Sequence, residues 1–119
     1  MNDAINKLLA LNCRDYSQEE SSLNLSEVEQ WRKLTPEWQF CATENELSQT
    51  FHFANYADTI HFVNAVAKVA EADNHHPEME VSFKRCKVTF YTHTVRGVTL
   101  NDFICAAKID AALPQLNAI

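Results

Sequence analysis

The chain has 119 residues and a formal net charge of −6 at pH 7, and 46% of its residues are hydrophobic, which predicts one soluble domain with a single small core. It contains one glycine, Gly97, so the glycine-rich loops that hold nucleotide phosphates are excluded, and the acidic balance argues against nucleic acid as a direct partner. No segment has the apolar length of a membrane span or the order of a signal peptide, so we expect a cytoplasmic protein with no membrane partner.

The first predicted segment, residues 1–24, has the weakest pattern, and we expect a surface arm with at most one helical turn. Its apolar residues include Ile5, Leu8 and Leu9, and an acidic polar stretch follows them. Residues 25–119 form the predicted domain. Near its start, Ser26 and Glu29 have the spacing of a capping box, which predicts a short helix that ends before Pro36.

Two stretches in which polar and apolar residues alternate predict two β-hairpins, and a helix separates them. The first hairpin is expected to turn at residues 43–46 and the second at residues 84–86. Between them, residues 55–73 carry apolar side chains at intervals of three and four, which is typical of one helix face. Asn55 is the predicted N-cap of this helix and Asn74 its predicted stop.

A last helix is predicted to begin at Thr99 and to end at Pro114. Its apolar face consists of Phe103, Ile104, Ala107 and Ala111. The complete order, helix, strand, strand, helix, strand, strand, helix, favours an α+β fold with a four-stranded antiparallel sheet and three helices packed on one face. An unpaired edge strand of such a sheet can pair with a second copy, so we expect a homodimer or homotetramer.

Three of the five histidines, His75, His76 and His93, are candidates for acid-base chemistry. The first two stand where the middle helix ends, and the hairpin that follows can return His93 beside them. We therefore expect three imidazoles in one pocket. Imidazole has an ordinary pKa of about 6.5, so such a cluster can both donate and accept a proton near neutral pH. The remaining two, His52 and His61, are expected to lie at the surface.

The residues around these histidines resemble the signature of the pterin-4a-carbinolamine dehydratase family in their order and spacing. The shared positions are Glu71, His75, His76, Pro77, Phe83, His93, Gly97 and Asp102. The resemblance covers about residues 27–112. Within it, residues 64–66 and 101–104 look most like the bacterial type that accompanies phenylalanine hydroxylase.

The resemblance implies an enzyme, a hydro-lyase that removes water from 4a-hydroxytetrahydropterin, such as 4a-hydroxytetrahydrobiopterin, to give quinonoid dihydropterin. It also implies a functional link to aromatic amino acid hydroxylases, whose pterin would be recycled, and a reaction without cofactor or metal. His75, His76 and His93 would be the catalytic residues, and His76 would be the most sensitive of them. The substrate-binding residues would be Pro77, Thr92, Thr94 and Val95.

Two carboxylates in this signature are expected to support the site, and each has a structural alternative. Glu71 lies one helical turn before His75 and would orient an imidazole, or would be a free surface carboxylate. Asp102 stands three residues after Thr99, which is capping-box spacing, so capping of the last helix is favoured over a role in the site.

The loop between the third histidine and the last helix holds two unusual positions. Gly97 is expected where a positive φ or the close approach of another group requires glycine. Arg96 stands where the family often has a second glycine, and we expect it to change access to the site. Outside this loop, the four cysteines form no C-x-x-C pair, so free thiols are expected.

Two other functions remain open from the sequence. In the first, the protein is a non-catalytic dimerisation or regulatory partner of a transcription factor or a hydroxylase, and it binds that partner through its helix surfaces and not through its histidines. Lys108 and Asp110 on the outer face of the last helix are then the candidate contacts. Alternatively, three histidines and a carboxylate would hold a zinc ion.

Overall fold

Four helices and four strands build the protein, whose computed structural model describes residues 3–117, with side-chain surroundings for residues 3–113. The elements are α1 (Asp3–Leu9), α2 (Leu25–Arg32), β1 (Gln39–Cys41), β2 (Glu46–His52), α3 (Tyr56–Asp73), β3 (Glu78–Ser82), β4 (Arg85–Phe90) and α4 (Leu100–Asn117), with a 3-10 turn at His93–Val95 before α4. All strand pairs are antiparallel, in the order β1-β2-β4-β3. The α+β class and the four-stranded sheet are confirmed, but there are four α-helices where three were predicted.

One face of the sheet carries the core. Leu47 of β2 pairs with Phe90 of β4, Phe51 pairs with Cys86, and all four side chains are buried. The helices add to the same cluster Phe62, Val66, Phe103, Ile104 and Ala107. His52 follows Phe51 on the strand, so it points to the opposite face and is exposed, as predicted.

Both ends of α3 lie where the sequence predicts them. The Asn55 side chain caps the start, since its Oδ1 accepts the backbone N–H of Asp58 at 2.8 Å. Asn74 ends the helix in the left-handed region, with φ 50° and ψ 43°, and its N–H bonds the carbonyls of Ala70 and Glu71. This turn matters for the site, because the two adjacent histidines follow it directly.

The capping box of α2 lies two residues earlier than predicted. The Asn24 side chain accepts the N–H of Glu27 at 2.9 Å, and the Glu27 carboxylate accepts the N–H of Asn24 at 3.0 Å. The predicted pair, Ser26 and Glu29, has the same spacing, but Asn is as good an N-cap as Ser. Because both pairs have the same spacing and suitable residue types, spacing alone does not determine which pair forms the capping box.

The second hairpin is tighter than predicted. β3 ends at Ser82 and β4 begins at Arg85, so only residues 83–84 form the turn, and Cys86 is a buried strand residue instead of a turn residue. Cys86 pairs with the buried Phe51 of β2, so its side chain points to the same core face. Burial raises the pKa of its thiol to about 11.

The last helix is longer and more deeply buried than predicted. α4 continues through Pro114 to Asn117 and does not end at the proline, where its end was predicted. Ala111 is exposed and does not belong to the inward face, whereas residues 101–107 are all buried. Within residues 3–117, no helix combines the length and the apolar character that crossing a membrane requires.

The first helix, α1, packs on α4 and contributes to the core. Leu8 is 1% exposed and joins the same cluster as Phe103. The segment predicted as a surface arm is therefore partly core. A helix of seven residues is too short to be stable alone, so this packing must hold it in place. The division of the chain at residue 25 stays a prediction.

Both α4 residues that the dimerisation hypothesis placed on an outer face are bonded inside the protein. Trp38 Nε1 donates to the two carboxylate oxygens of Asp110 at 3.0 and 3.1 Å, and Gln49 Nε2 donates at 3.4 Å. Lys108 Nζ donates to Asp73 at 2.7 Å. Charge reversal at either residue would therefore break internal bonds, so these two side chains are not a free contact surface.

Asp110→Asn is expected to remove part of the pH dependence of stability. Burial raises the pKa of Asp110, although the hydrogen bonds from Trp38 and Gln49 act to lower it. The folded protein thus binds the proton of the Asp110 carboxyl more tightly than the unfolded chain does. The protonated carboxyl therefore stabilises the fold below the ordinary aspartate pKa of about 4, and this stabilisation is lost as pH rises from there through the higher pKa of the folded state.

Chemical denaturation at several pH values on either side of about pH 4 measures this effect. The unfolding free energy of Asp110→Asn relative to wild type should increase with pH across that window and then level off. Glu80→Gln, which changes an exposed carboxylate on β3, is the matched control and should show no such rise. A difference for Asp110→Asn that stays constant with pH would contradict the expectation.

Candidate active site

The three histidines singled out from the sequence line one cavity of about 250 Å³. His75 and His76 come from the segment after α3, and His93 comes from the turn after β4, which the hairpin returns to the same place. The other lining residues are Arg14, Asp15, Tyr16, Asn74, Thr92, Thr94 and Asn101. The structure thus brings the three imidazoles together around one opening.

A fully buried carboxylate, Asp102, lies behind this cavity. Its Oδ1 is 2.6 Å from Nε2 of His75, and its Oδ2 accepts the Thr92 hydroxyl at 3.0 Å and the Thr99 backbone N–H at 2.8 Å. An ionised carboxylate can only accept hydrogen bonds, so Nε2 of His75 carries the proton and donates. Asp102 therefore caps the start of α4, as the spacing favours, and it contacts the His75 imidazole as well.

His75 is fixed on two sides. Besides the bond to Asp102, its ring stacks on Phe90, with ring centroids 5.8 Å apart and an angle of 12° between the planes. Only 11% of the side chain is exposed. Its second ring nitrogen, Nδ1, has no hydrogen-bond partner among the described residues, and in this tautomer Nδ1 is an acceptor. The ring can therefore accept a proton at Nδ1.

Glu71 contacts the imidazole of His76 and not that of His75. Its Oε1 is 2.9 Å from Nε2 of His76, and both side chains are more than half exposed. The reason is the left-handed turn at Asn74, after which His75 points inward and His76 points outward. Exposed ion pairs contribute little, so His76 is held less firmly than its neighbour.

Of the remaining predicted site residues, His93, Thr94 and Val95 line one or both of two neighbouring cavities, and Pro77 lines neither. His93 is exposed and contacts Tyr91, with ring centroids 4.3 Å apart, and Thr94 lines the histidine cavity beside it. Val95 lines a second cavity, of about 410 Å³, to which His93 and Thr94 also contribute.

The N-terminal segment supplies a wall of the site that sequence reasoning missed. Asn101 of α4 fastens it, because its Oδ1 accepts the Arg14 N–H at 3.0 Å and its Nδ2 donates to the Arg14 carbonyl at 2.7 Å. The Arg14 guanidinium lies 3.7 Å from the centroid of the Tyr16 ring. A signal in the sequence was Asn101 itself, a polar residue that stands beside Asp102 in the first turn of α4.

A second group of residues anchors the N-terminal segment and consists of Cys13, Asp73 and Cys105. The atoms of these residues that could bind a metal, two sulfurs and a carboxylate oxygen, all lie within 4.8 Å of one another. The Asp73 oxygens accept from the Cys13 N–H at 3.0 Å and from Lys108, and the two sulfur atoms are 3.6 Å apart. The hydrogen bond that Cys105 shares with Cys13, together with burial, raises the pKa of Cys105 well above its usual range. These groups already satisfy one another, so they fasten the segment to α4.

The cavity histidines do not make a comparable set. Within the described part of the chain, no three donor atoms that include their nitrogens come as close together as those of the cysteine cluster. All four cysteines are free thiols, as predicted.

Comparison with known proteins matches residues 18–112 to a family model described as pterin 4 alpha carbinolamine dehydratase. A relative from Chromobacterium violaceum, named "Putative pterin-4-alpha-carbinolamine dehydratase", is 44% identical over 104 residues, which are 87% of this chain and 94% of the relative. One of the same name from Xylella fastidiosa is 38% identical over 115 residues, which are 97% and 98% of the two chains.

Two solved structures have a similar fold. One, from Brucella melitensis, is described as a transcriptional coactivator/pterin dehydratase. It has a TM-score of 0.73 and 30% identity and covers 76% of this chain and 97% of its own. The other is a pterin dehydratase-like protein described as a RuBisCO assembly factor in the alpha-carboxysome. Its TM-score is 0.54, with coverage of 82% and 94%, and at 20% identity it shows the fold alone.

Proposed function

The chain belongs to the pterin 4 alpha carbinolamine dehydratase family, and from this premise we propose that it is an enzyme that dehydrates 4a-hydroxytetrahydropterins. The products are quinonoid dihydropterin and water, and 4a-hydroxytetrahydrobiopterin represents the substrate class. The observation that carries the proposal is the His75 imidazole, which the buried Asp102 holds 2.6 Å away in a cavity with two further imidazoles.

The reaction needs one proton donated and one proton accepted. The bond between C4a and its hydroxyl oxygen breaks, and the hydroxyl takes up a proton and leaves as water. The proton on N5 is removed, and its bonding electrons form the N5–C4a double bond. No electrons are exchanged with another molecule, so a pair of imidazoles in opposite protonation states is sufficient.

In this scheme His75 is the base. Its Nδ1 accepts the N5 proton, and the negative charge of Asp102 stabilises the imidazolium that forms, as a buried carboxylate does for a histidine base in general. His76 and His93, which lie at the open side of the cavity, are the candidates for the acid that protonates the leaving hydroxyl. Each such group contributes about 10² to 10⁴ in rate.

The geometry changes the expectation about sensitivity. The sequence singled out His76, but His76 is exposed and its partner Glu71 is exposed as well. His75 has the buried partner and the stacked ring, so we expect its loss to be the most damaging. Thr94 lines the cavity and would contact the pterin, whereas the Thr92 hydroxyl is engaged by Asp102 and Thr99.

We also propose that the protein recycles the pterin of an aromatic amino acid hydroxylase in the cytoplasm, where free thiols such as its four cysteines persist. A homodimer or homotetramer is part of the proposal. It is supported by the two sheet edges, β1 and β3, each of which pairs with one strand only. A non-catalytic dimerisation or regulatory role is the second candidate, because the similar Brucella structure is described as both a coactivator and a pterin dehydratase.

Water loss from 4a-hydroxytetrahydropterin, generated in the cuvette by a hydroxylase and followed by ultraviolet absorbance, tests the proposal. Wild-type protein should accelerate the decay of this intermediate in proportion to its concentration. Decay at the uncatalysed rate, even with protein in excess, would overturn the catalytic function and leave the regulatory role as the better explanation.

A further inference from the structure

We propose that the second cavity binds an anionic substituent of the pterin through Arg96. The inference rests on the proposed function, since it extends the same site. This cavity, of about 410 Å³, is lined by Gln18, Glu20, His93, Thr94, Val95 and Arg96. His93 and Thr94 line the histidine cavity as well, so a molecule whose ring lies among the imidazoles can extend its side chain past these two residues.

The charge in this second cavity is positive. The Glu20 carboxylate is already neutralised, because Arg14 donates to it at 2.8 and 3.3 Å and the Ser17 N–H donates at 2.9 Å. These bonds lower the pKa of Glu20, so the pair stays ionised near neutral pH. The Arg96 guanidinium, in contrast, has no hydrogen bond or ion pair with any described residue. Two guanidinium groups and one carboxylate leave a surplus of one positive charge.

The backbone at Arg96 gives a second reason. Its φ of 56° and ψ of 44° lie in the left-handed region, which a side chain disfavours and a glycine would adopt freely. The turn is held by the Arg96 N–H to the His93 carbonyl at 3.1 Å and by the paired backbones of Thr92 and Gly97. Residues kept in such conformations at the edge of a site commonly serve a ligand.

The chemistry of the group points to phosphate or carboxylate. A guanidinium presents a planar fork of donors that matches both anions in a bidentate manner, and Gln18 adds amide donors on the same cavity wall. A side chain with hydroxyl groups only would leave the charge of Arg96 unused. The preferred substrate class is therefore a pterin whose side chain ends in a phosphate ester or a carboxylate.

Binding of three stable dihydropterins to the full chain tests this inference. The probes are dihydrobiopterin, with an uncharged side chain, dihydroneopterin phosphate, and dihydrofolate, whose side chain carries carboxylates. We expect wild type to bind at least one anionic probe about tenfold or more tightly than dihydrobiopterin. Arg96→Gln keeps the backbone strain and removes the charge, so it should abolish this preference and leave dihydrobiopterin affinity unchanged.

Lys84→Gln is the matched control, because Lys84 is an exposed cation in the β3–β4 turn, away from both cavities, and this variant should keep the preference. Arg96→Lys should restore a part of it. A preference for the phosphate or for the carboxylate probe identifies the anion and supports the inference. Equal affinity of wild type for all three probes, or a preference that survives Arg96→Gln, would overturn the inference while the pterin site stands. Failure of wild type to bind any probe would overturn the proposed function as well.

Discussion

Asp102→Ala is expected to lower the free energy of unfolding by about 3 kcal/mol and turnover by about a hundredfold or more. The buried carboxylate accepts three hydrogen bonds, from His75, from the Thr92 hydroxyl and from the Thr99 N–H. Alanine would leave the His75 and Thr99 N–H donors without a partner, whereas the Thr92 hydroxyl keeps its bond with the Thr99 hydroxyl, and each buried group that stays unpaired costs about 1 to 3 kcal/mol. Chemical denaturation and pterin turnover measure the two losses.

Asp102→Asn separates the structural role from the catalytic one. The asparagine oxygen can still accept from Thr92 and Thr99, so most of the stability should remain. Its amide group, however, would donate to Nε2 of His75 and force the proton onto Nδ1, so the imidazole can no longer take a proton from the substrate. Turnover should fall about as far as in Asp102→Ala. Full turnover in this stable variant would mean that Asp102 only caps α4.

Glu71→Gln is the matched control for these variants. It also changes a carboxylate bonded to a cavity histidine, but the Glu71–His76 pair is exposed. An exposed pair contributes about 1 kcal/mol or less, so we expect stability to change little and turnover to fall by less than about tenfold. A loss as large as that of Asp102→Asn would show that turnover depends on the exposed Glu71–His76 pair as much as on the Asp102–His75 pair.

Gly97→Val is expected to destabilise the protein by about 3 kcal/mol, the upper range for overpacking a tight site. A Cβ at Gly97 would lie 2.2 Å from Asn45 Nδ2 and 2.7 Å from Ser22 Cβ. The Asn45 side chain cannot move without loss, because it accepts the Val98 N–H at 3.0 Å and donates to the Ser22 hydroxyl at 3.1 Å. Close approach therefore requires glycine here, and the positive φ of this turn belongs to Arg96.

A double variant tests that cause. Asn45 has a φ of 53°, which glycine tolerates, so Asn45→Gly removes the nearer of the two obstructing groups without straining the backbone, and Ser22 Cβ remains. Gly97→Ala should cost about 2 kcal/mol alone and clearly less in the Asn45→Gly background. Thermal or chemical unfolding of the four proteins gives the coupling. Additive losses would indicate that the added methyl clashes elsewhere.

Local signals were sufficient for most of the sheet and for α3. The start of α3 at Asn55 and its end at Asn74 follow from capping and turn chemistry within a few residues. The alternation of apolar and polar residues around Phe51 assigns the two faces of the sheet. α1 could not be predicted in the same way. It is a short helix whose stability depends on burying Leu8 against α4, a contact between distant parts of the chain.

The candidate site, too, was predictable from the sequence only where local signals were sufficient. The order of the histidines could be read from the sequence, but their partners could not, because Asp102 is 27 residues from His75. Local spacing identified only the capping bond of Asp102. The wall formed by Arg14 and Tyr16 has no periodic pattern, and hydrogen bonds from residues of α3 and α4 hold its segment in place.

The rate of water loss from 4a-hydroxytetrahydropterin in wild type, His75→Ala and His52→Ala tests the central claim most directly. His52 is exposed on the sheet face away from the core, so His52→Ala controls for the loss of an imidazole as such. We expect His75→Ala to lower the rate of water loss by about 10² to 10⁴ and His52→Ala to retain the wild-type rate. A folded His75→Ala protein that turns over the substrate as fast as wild type would contradict this expectation.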